Sequence, residues 1–405
     1  MKLIAFGELS IQLLFPLLCP VALSLRIFLL TKFADITYKY LLQSFCIFLS
    51  EILFGSINII YKKWNKPKKD KHHESNKDSE ANSFVTETFD FLEKPKKTSK
   101  VQRYLLILLL SLLDFLACNI LAIVCSGENM LTKKLEAEFK NSKIIFVSIL
   151  SIIFISKKLY KHQILGIILA FIGVTFNIVL LIYHDFSEER LNLLIILAYP
   201  LCYLFLAIQC VLEKHMLESF RLSPYKLLFY EGVFGAVICG FSFLISYFIP
   251  CKDNDFCKPY NGKLYDIFTD LTYFWNNSYE QIFLFLFLFI SGFYNLFCKL
   301  TLYYFSPNQQ TVSDPMSSFF LYFYYYSLVN DAFIKSAFIQ SGLPLIGYLI
   351  IIFSALIYNE IIIIYVFGLQ KDCKEEVIKR AREESVDYST TSKEPYISMN
   401  AISHE

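Results

Sequence analysis

Residues 50–56 read SEILFGS and residues 230–236 read YEGVFGA. Both strings lie inside long apolar runs, and each sets a glutamate at the same distance before a Phe-Gly pair: Glu51 before Phe54-Gly55, Glu231 before Phe234-Gly235. The two glutamates are 180 positions apart. A second match has nearly the same offset. ILGIILAFIGV (164–174) and LIGYLIIIFSA (345–355) place Gly166 and Gly347 181 apart, each with a small residue seven positions on, Gly173 and Ser354. A third sets Asp114 181 positions before Asn295. Small residues are common where membrane helices meet, so each match alone is weak. Together they divide the chain into two copies. If each copy holds five spans, an odd number, the second crosses the membrane in the opposite sense, as in the inverted repeats of secondary transporters.

The spans come from length arithmetic. Crossing a hydrocarbon core of about 30 Å takes roughly 20 apolar residues in a helix. Ten stretches qualify: 8–30, 38–61, 104–125, 132–155, 162–183, 192–213, 226–249, 281–305, 311–330 and 344–368. The first is not read as a cleaved signal, because Ile27–Leu30 continues the apolar run and no small-residue cleavage site follows. The expected fold is thus an all-α polytopic membrane protein, ten transmembrane helices in two inverted five-helix repeats. Residues 1–61 carry the first two helices and 104–183 the next three; 192–368 form the second repeat. Residues 62–103 and 369–405 are too polar and charged to bury a core and read as a disordered basic linker and a disordered tail.

Composition agrees. Of 405 residues, 55% are hydrophobic and 18% charged, with 41 Phe, 27 Tyr and a mean hydropathy of +0.47. A soluble domain needs about 25% charged residues. Soluble enzymes, coiled coils and secreted disulfide scaffolds are excluded. The net charge of +2 is concentrated in loops, which argues against a nucleic-acid partner. With the N-terminus cytoplasmic, the inward connections and tail hold 24 Lys and Arg and the outward ones 8, so both termini are expected in the cytoplasm.

The long outward loop carries Cys251 and Cys257 and the sequon Asn276-Asn277-Ser278. On a luminal face the cysteines are candidates for a disulfide, although spacing alone does not fix the geometry, and Asn276 is a candidate glycosylation site. Most other cysteines sit inside apolar spans as small hydrophobes. No metal-ligand spacing appears, His72-His73 is read as solvated, and no cofactor is implied. Tyr396-Ile397-Ser398-Met399 fits a tyrosine-based sorting signal, a pattern that also arises by chance.

Ionisable side chains at membrane depth are the chemical candidates, because each is costly there unless it is paired or lines a wet cavity. Lys133, Glu136, Lys140 and Lys143 repeat at helical spacing on one face. Lys133 and Lys134 are expected to be solvated; Lys140 and Lys143 are expected to line a cavity suited to an anionic or carboxylate-bearing substrate. Glu51 and Glu231 are candidates either for carrying a coupled proton or for a structural hydrogen bond across the repeat interface. Asp114, Gln209 and Asn295 have apolar neighbours on both sides and complete the substrate-binding or coupling set. Lys299 also has apolar neighbours on both sides, with snorkelling towards the cytoplasmic end of its span as the alternative, and Glu213 and Lys214 are expected to lie among headgroups. All six His fall in loops, helix ends or tail, so an enzyme is not expected. No phosphate-binding loop supports ATP coupling.

Several strings resemble the drug/metabolite transporter superfamily, within solute carrier family 35 (nucleotide-sugar transporter-like) and closest to its F subgroup, the member-F6-like proteins. They are TKFAD (31–35), LQSFCIFLSE (42–51), SKKLYKHQILGIILAFIG (156–173), AIQCVLEKH (207–215), YEGVFG (230–235) and LIGYLIIIFSALIYN (345–359). Ala137 stands where the F6-like pattern carries Gln, Lys140 keeps its basic position, and Lys143 matches the lysine of nucleotide-sugar transporters. The resemblance implies a secondary transporter or exchanger of a small-molecule substrate in an internal membrane of Golgi, endosomal or lysosomal type. Its expected partners are that substrate and membrane lipids, and a homodimer is compatible. The alternative is a receptor or scaffold built on a transporter fold.

Overall fold

A computed structural model describes residues 18–27, 29, 40–64, 99–125, 130–155, 160–185, 193–251, 260, 262–328, 334–359 and 362. Among them the chain is helical, apart from one isolated bridge between Pro250 and Lys263. The helices are α1 (Leu18–Ile27), α2 (Tyr40–Trp64), α3 (Lys100–Cys125), α4 (Met130–Ile155), α5 (Lys161–Asp185), α6 (Leu193–Ser219), α7 (Pro224–Phe248), α8 (Ile267–Asn276), α9 (Ser278–Tyr304), α10 (Pro307–Thr311), α11 (Ser313–Leu328) and α12 (Ile334–Tyr358). Six of them, α2, α3, α5, α6, α7 and α9, contain segments long and apolar enough to cross a membrane. Their outer faces expose Leu53, Ile57, Phe171, Phe241 and Phe285, a belt of apolar surface that needs lipid rather than water. The molecule is an all-α, multi-pass integral membrane protein.

Local chemistry sets the helix ends. Ser223 caps α7 by accepting from the Lys226 N–H, and Pro224 occupies the first turn, where its missing N–H leaves no bond unmade. Ser306 and Gln309 form a reciprocal capping box that starts the five-residue α10 directly after α9. The stretch expected as one span at 311–330 is occupied by one helix, α11, with the short α10 immediately before it. The last helix also differs from expectation: α12 starts ten residues earlier than 344 and ends at Tyr358, with Pro344 inside it rather than at its start. A proline inside a membrane helix is tolerated because neighbouring groups satisfy the freed carbonyl.

Two helix pairs are packed backbone to backbone. In the α2/α7 pair, a Cβ on Gly55 would lie 2.7 Å from the Phe229 nitrogen, and one on Gly235 would run into the Phe48 ring. In the α5/α12 pair, a Cβ on Gly166 would lie 3.0 Å from the Ser354 carbonyl oxygen and one on Gly173 3.1 Å from that of Gly347. A Cβ on Gly166 would also meet Tyr358, and one on Gly347 the Asn177 amide. These contacts are reciprocal. Adding 181 turns Gly166 into Gly347 and Asn177 into Tyr358, so the contact of Gly166 with Tyr358 becomes that of Gly347 with Asn177. The same exchange carries the contact of α2 with α9 onto that of α3 with α7.

Between these pairs, α3, α4, α6, α7 and α9 share an apolar core built on Ile107, Leu110, Val147, Val211, Leu227 and Leu302. The connection between α7 and α9 contains a helix, α8, that the sequence does not lead one to expect. Tyr265 donates to Asp270 at 2.5 Å, fixing the polar side of α8 inward, while Phe268, Leu271 and Trp275 are exposed. Cys251 is disulfide-bonded, and Cys257 lies outside the described residues. Asn276 is the exposed last residue of α8 and Ser278 the first of α9, so the sequon straddles a helix joint.

Candidate functional site

A cavity of about 170 Å³ lies among α1, α2, α3, α4, α6, α9, α10 and α11. That is ample for waters, each of which needs roughly 10–15 Å³ by a comparable measure, and below the roughly 300–1,000 Å³ of drug-sized sites. Six of the seven substrate or coupling residues expected from the sequence line it: Glu51, Asp114, Lys140, Lys143, Gln209 and Asn295. The seventh, Glu231, stands one contact behind, in an ion pair with Lys299.

The polar groups form a connected set. Asn295 on α9 donates its amide N–H to Glu51 Oε1 on α2 at 2.7 Å, and its carbonyl oxygen accepts from Arg26 Nη1 on α1 at 3.1 Å. The Arg26 guanidinium also lies 5.1 Å from the centre of the Tyr294 ring. One turn beyond Asn295, Lys299 bridges two carboxylates, meeting Glu213 at 2.6 Å and Glu231 as a second ion pair. On the other wall, Lys143 lies 3.4 Å from Asp314, and Lys140 donates to Ser317 at 2.5 Å. Asp114 accepts from the Cys118 thiol at 3.6 Å, one helical turn along α3.

Every charge in this set is expensive in a low-dielectric interior, and pairing offsets most of the expense. The five carboxyl groups are Glu51, Asp114, Glu213, Glu231 and Asp314, and the four cations are Arg26, Lys140, Lys143 and Lys299. Lys143 and Lys299 reach carboxylates on other helices, Arg26 the Asn295 amide and Lys140 a serine, so the set ties α1, α2, α4, α6, α7, α9 and α11 together around the open space. Among the described residues, no three His, Cys, Asp or Glu side chains converge as metal ligands. What the arrangement can do is hold a small polar molecule by charge and hydrogen bonds, out of contact with lipid.

Two expectations are corrected. Glu213 and Lys214 are buried rather than in headgroups, because α6 runs on to Ser219. Glu213 holds Lys299, while Lys214 donates to the carbonyl oxygens of Leu302 and Phe305 at 2.7 and 2.6 Å and meets Glu218 at 3.0 Å. Lys299 does not snorkel; two carboxylates fix it inside. Lys133 and Lys134 lie on α4, with side chains outside the description. The sequence reading passed over Arg26, Gln310 and Asp314. The signal for Arg26 was present, a lone guanidinium inside the apolar run 17–30.

No protein-family model matches the chain, and no curated protein matches it. Among solved structures, a crystal structure described only as that of a protein matches with a TM-score of 0.52 at 11% identity, covering 87% of this chain and 97% of that one. At that identity the likeness concerns the fold alone.

Proposed function

We propose that this chain is a secondary transporter or exchanger of a small polar or anionic metabolite, related to the solute carrier 35 branch of the drug/metabolite transporters and resident in an internal membrane. In this reading ten helices cross the bilayer as two inverted repeats of five, and the substrate passes through the cavity where the repeats meet. The observation that carries it is the coincidence of two features. Ionisable residues from both copies converge on one cavity of about 170 Å³ between membrane helices, and two helix pairs, each with one member from either copy, pack by contacts that correspond at an offset of 181. Inverted-repeat transporters place their sites in this way, near mid-membrane at the repeat interface. A purely structural charge cluster has no use for open volume, since dry packing is the cheaper state.

The test is counterflow in proteoliposomes preloaded with a panel of amino acids, amines, organic acids and nucleotide sugars. Accumulation of one labelled compound, chemically unchanged and driven by its own unlabelled pool, is the expected result. Saturable binding without flux for any compound would replace transport with a receptor role.

A further inference from the structure

The cavity's hydrogen bonds are unevenly satisfied. Glu51 is buried, with 3% of its surface exposed, and Asn295 serves its Oε1, yet Oε2 has no partner among the described residues. Asp114, also on the cavity wall, accepts a hydrogen bond from a thiol, a weak donor. A buried acceptor left unmade is costly, and more so when it is an ionised one. The cations beside them are turned elsewhere: Lys299 to Glu213 and Glu231, Lys143 to Asp314, Arg26 to Asn295. Of the carboxyl groups that line the cavity among the described residues, Glu213 and Asp314 each have a lysine partner, whereas the cavity leaves Glu51 with an amide and Asp114 with a thiol. What it lacks is a cationic donor on the side of Glu51 and Asp114.

We infer that the molecule this cavity takes carries a protonated amine, which donates to Glu51 Oε2 and to Asp114. The inference rests on the transport reading above and narrows its substrate class. An ammonium group supplies three N–H donors and one positive charge, which meets both deficits at once. An anion would meet neither. It would have to draw Lys143 or Lys299 away from a buried carboxylate and leave that carboxylate alone, the costlier arrangement. Arg26 has guanidinium N–H groups beyond the one given to Asn295, so a second, acidic end on the same molecule finds a donor across the Asn295 amide. The volume limits the ligand to a small amine or amino acid.

The experiment uses the full chain, purified and reconstituted, with thermal stabilisation as the binding readout and counterflow as the transport readout. The probes are ethanolamine, putrescine and glycine in one arm, and succinate and inorganic phosphate in the other. Ethylene glycol is the uncharged isostere of ethanolamine. The expected result is stabilisation by at least one amine-bearing probe, none by its isostere, and none by the anions. Glu51→Gln should weaken binding of that amine roughly ten- to a hundred-fold, and Asp114→Asn should weaken it in the same sense. Stabilisation by succinate or phosphate without any by amines overturns the proposal. So does a stability that responds to pH alone and to no amine, which would mean that a proton satisfies Glu51. If Glu51→Gln does not fold, Asp114→Asn and the comparison of ethanolamine with ethylene glycol still decide. Amine binding without flux would end the transport reading and leave this one; counterflow of an anion alone would do the reverse.

Discussion

Glu51 and Glu231 occupy matching places on α2 and α7, and their helices touch so closely that a Cβ on Gly232 would come within 2.9 Å of Glu51 Cβ. Their positions correspond at an offset of 180, and their electrostatic surroundings do not. Glu231 is locked in an ion pair with Lys299, which Glu213 also holds. Glu51 has one amide for a partner and no cation; each glutamate keeps one oxygen without a hydrogen-bond or ion-pair partner among the described residues, but only Glu51 of the two lines the cavity. The same residue therefore serves as frame in one copy and as open wall in the other. Duplication can supply a symmetric scaffold, but a ligand with two different ends needs an asymmetric site, and divergence around two equivalent carboxylates is an economical route to one.

Three measurements would break or sharpen this contrast. The largest effect is expected on the locked side. Lys299→Met leaves Glu213 and Glu231 buried without their cation and should lower stability by about 3–5 kcal/mol, read as thermal unfolding of the detergent-purified protein. Adding Glu231→Gln to that variant should restore part of the loss. A Lys299→Met protein as stable as wild type would mean the pair frames nothing. Next come Gly166→Ala and Gly347→Ala, equivalent under the repeat. Each adds a methyl where a neighbour already stands, and each should cost about 1–3 kcal/mol. Similar losses sharpen the claim of a symmetric scaffold; a large loss at one and none at the other breaks it. The smallest and most pointed comparison sets Glu51→Gln beside Glu231→Gln. The first keeps an oxygen for Asn295 and should change stability by less than about 1 kcal/mol, its effect appearing in ligand affinity instead. The second gives up an ion pair and should cost about 1–3 kcal/mol. Equal stability losses would erase the distinction between frame and wall.

Much of this was legible in the sequence, because apolar length and an exact-looking offset are both linear signals. Asp114 and Asn295, matched only by an offset of 181, do face the same cavity. The errors share a cause. Hydropathy treats a charge as the end of a span, so Glu213 and Lys214 were assigned to headgroups although α6 carries them inward to buried partners. Pro344 was taken as a helix start, although in a membrane helix it is an interior residue. Arg26 was lost in its apolar surroundings. Pairing between distant helices decides whether a charge can be buried, and no local pattern encodes it.

The glycine contacts also bear on how such a molecule can move. The α2/α7 pair takes one helix from each copy, and so does α5/α12. Both are joined at separations that admit no side chain, so sliding either pair apart would open voids along its whole length. The two halves of the chain are thus clasped to each other at two places, and parting them there would break backbone-close packing. Outside the clasps stand α1, α3, α4, α6, α9 and the α10/α11 segment. These supply most of the cavity wall, and α2 alone brings a wall residue, Glu51, from a clasped pair. As a piece of carpentry the protein is two posts with a wall built between them, and Glu51 is the one wall residue that a post supplies.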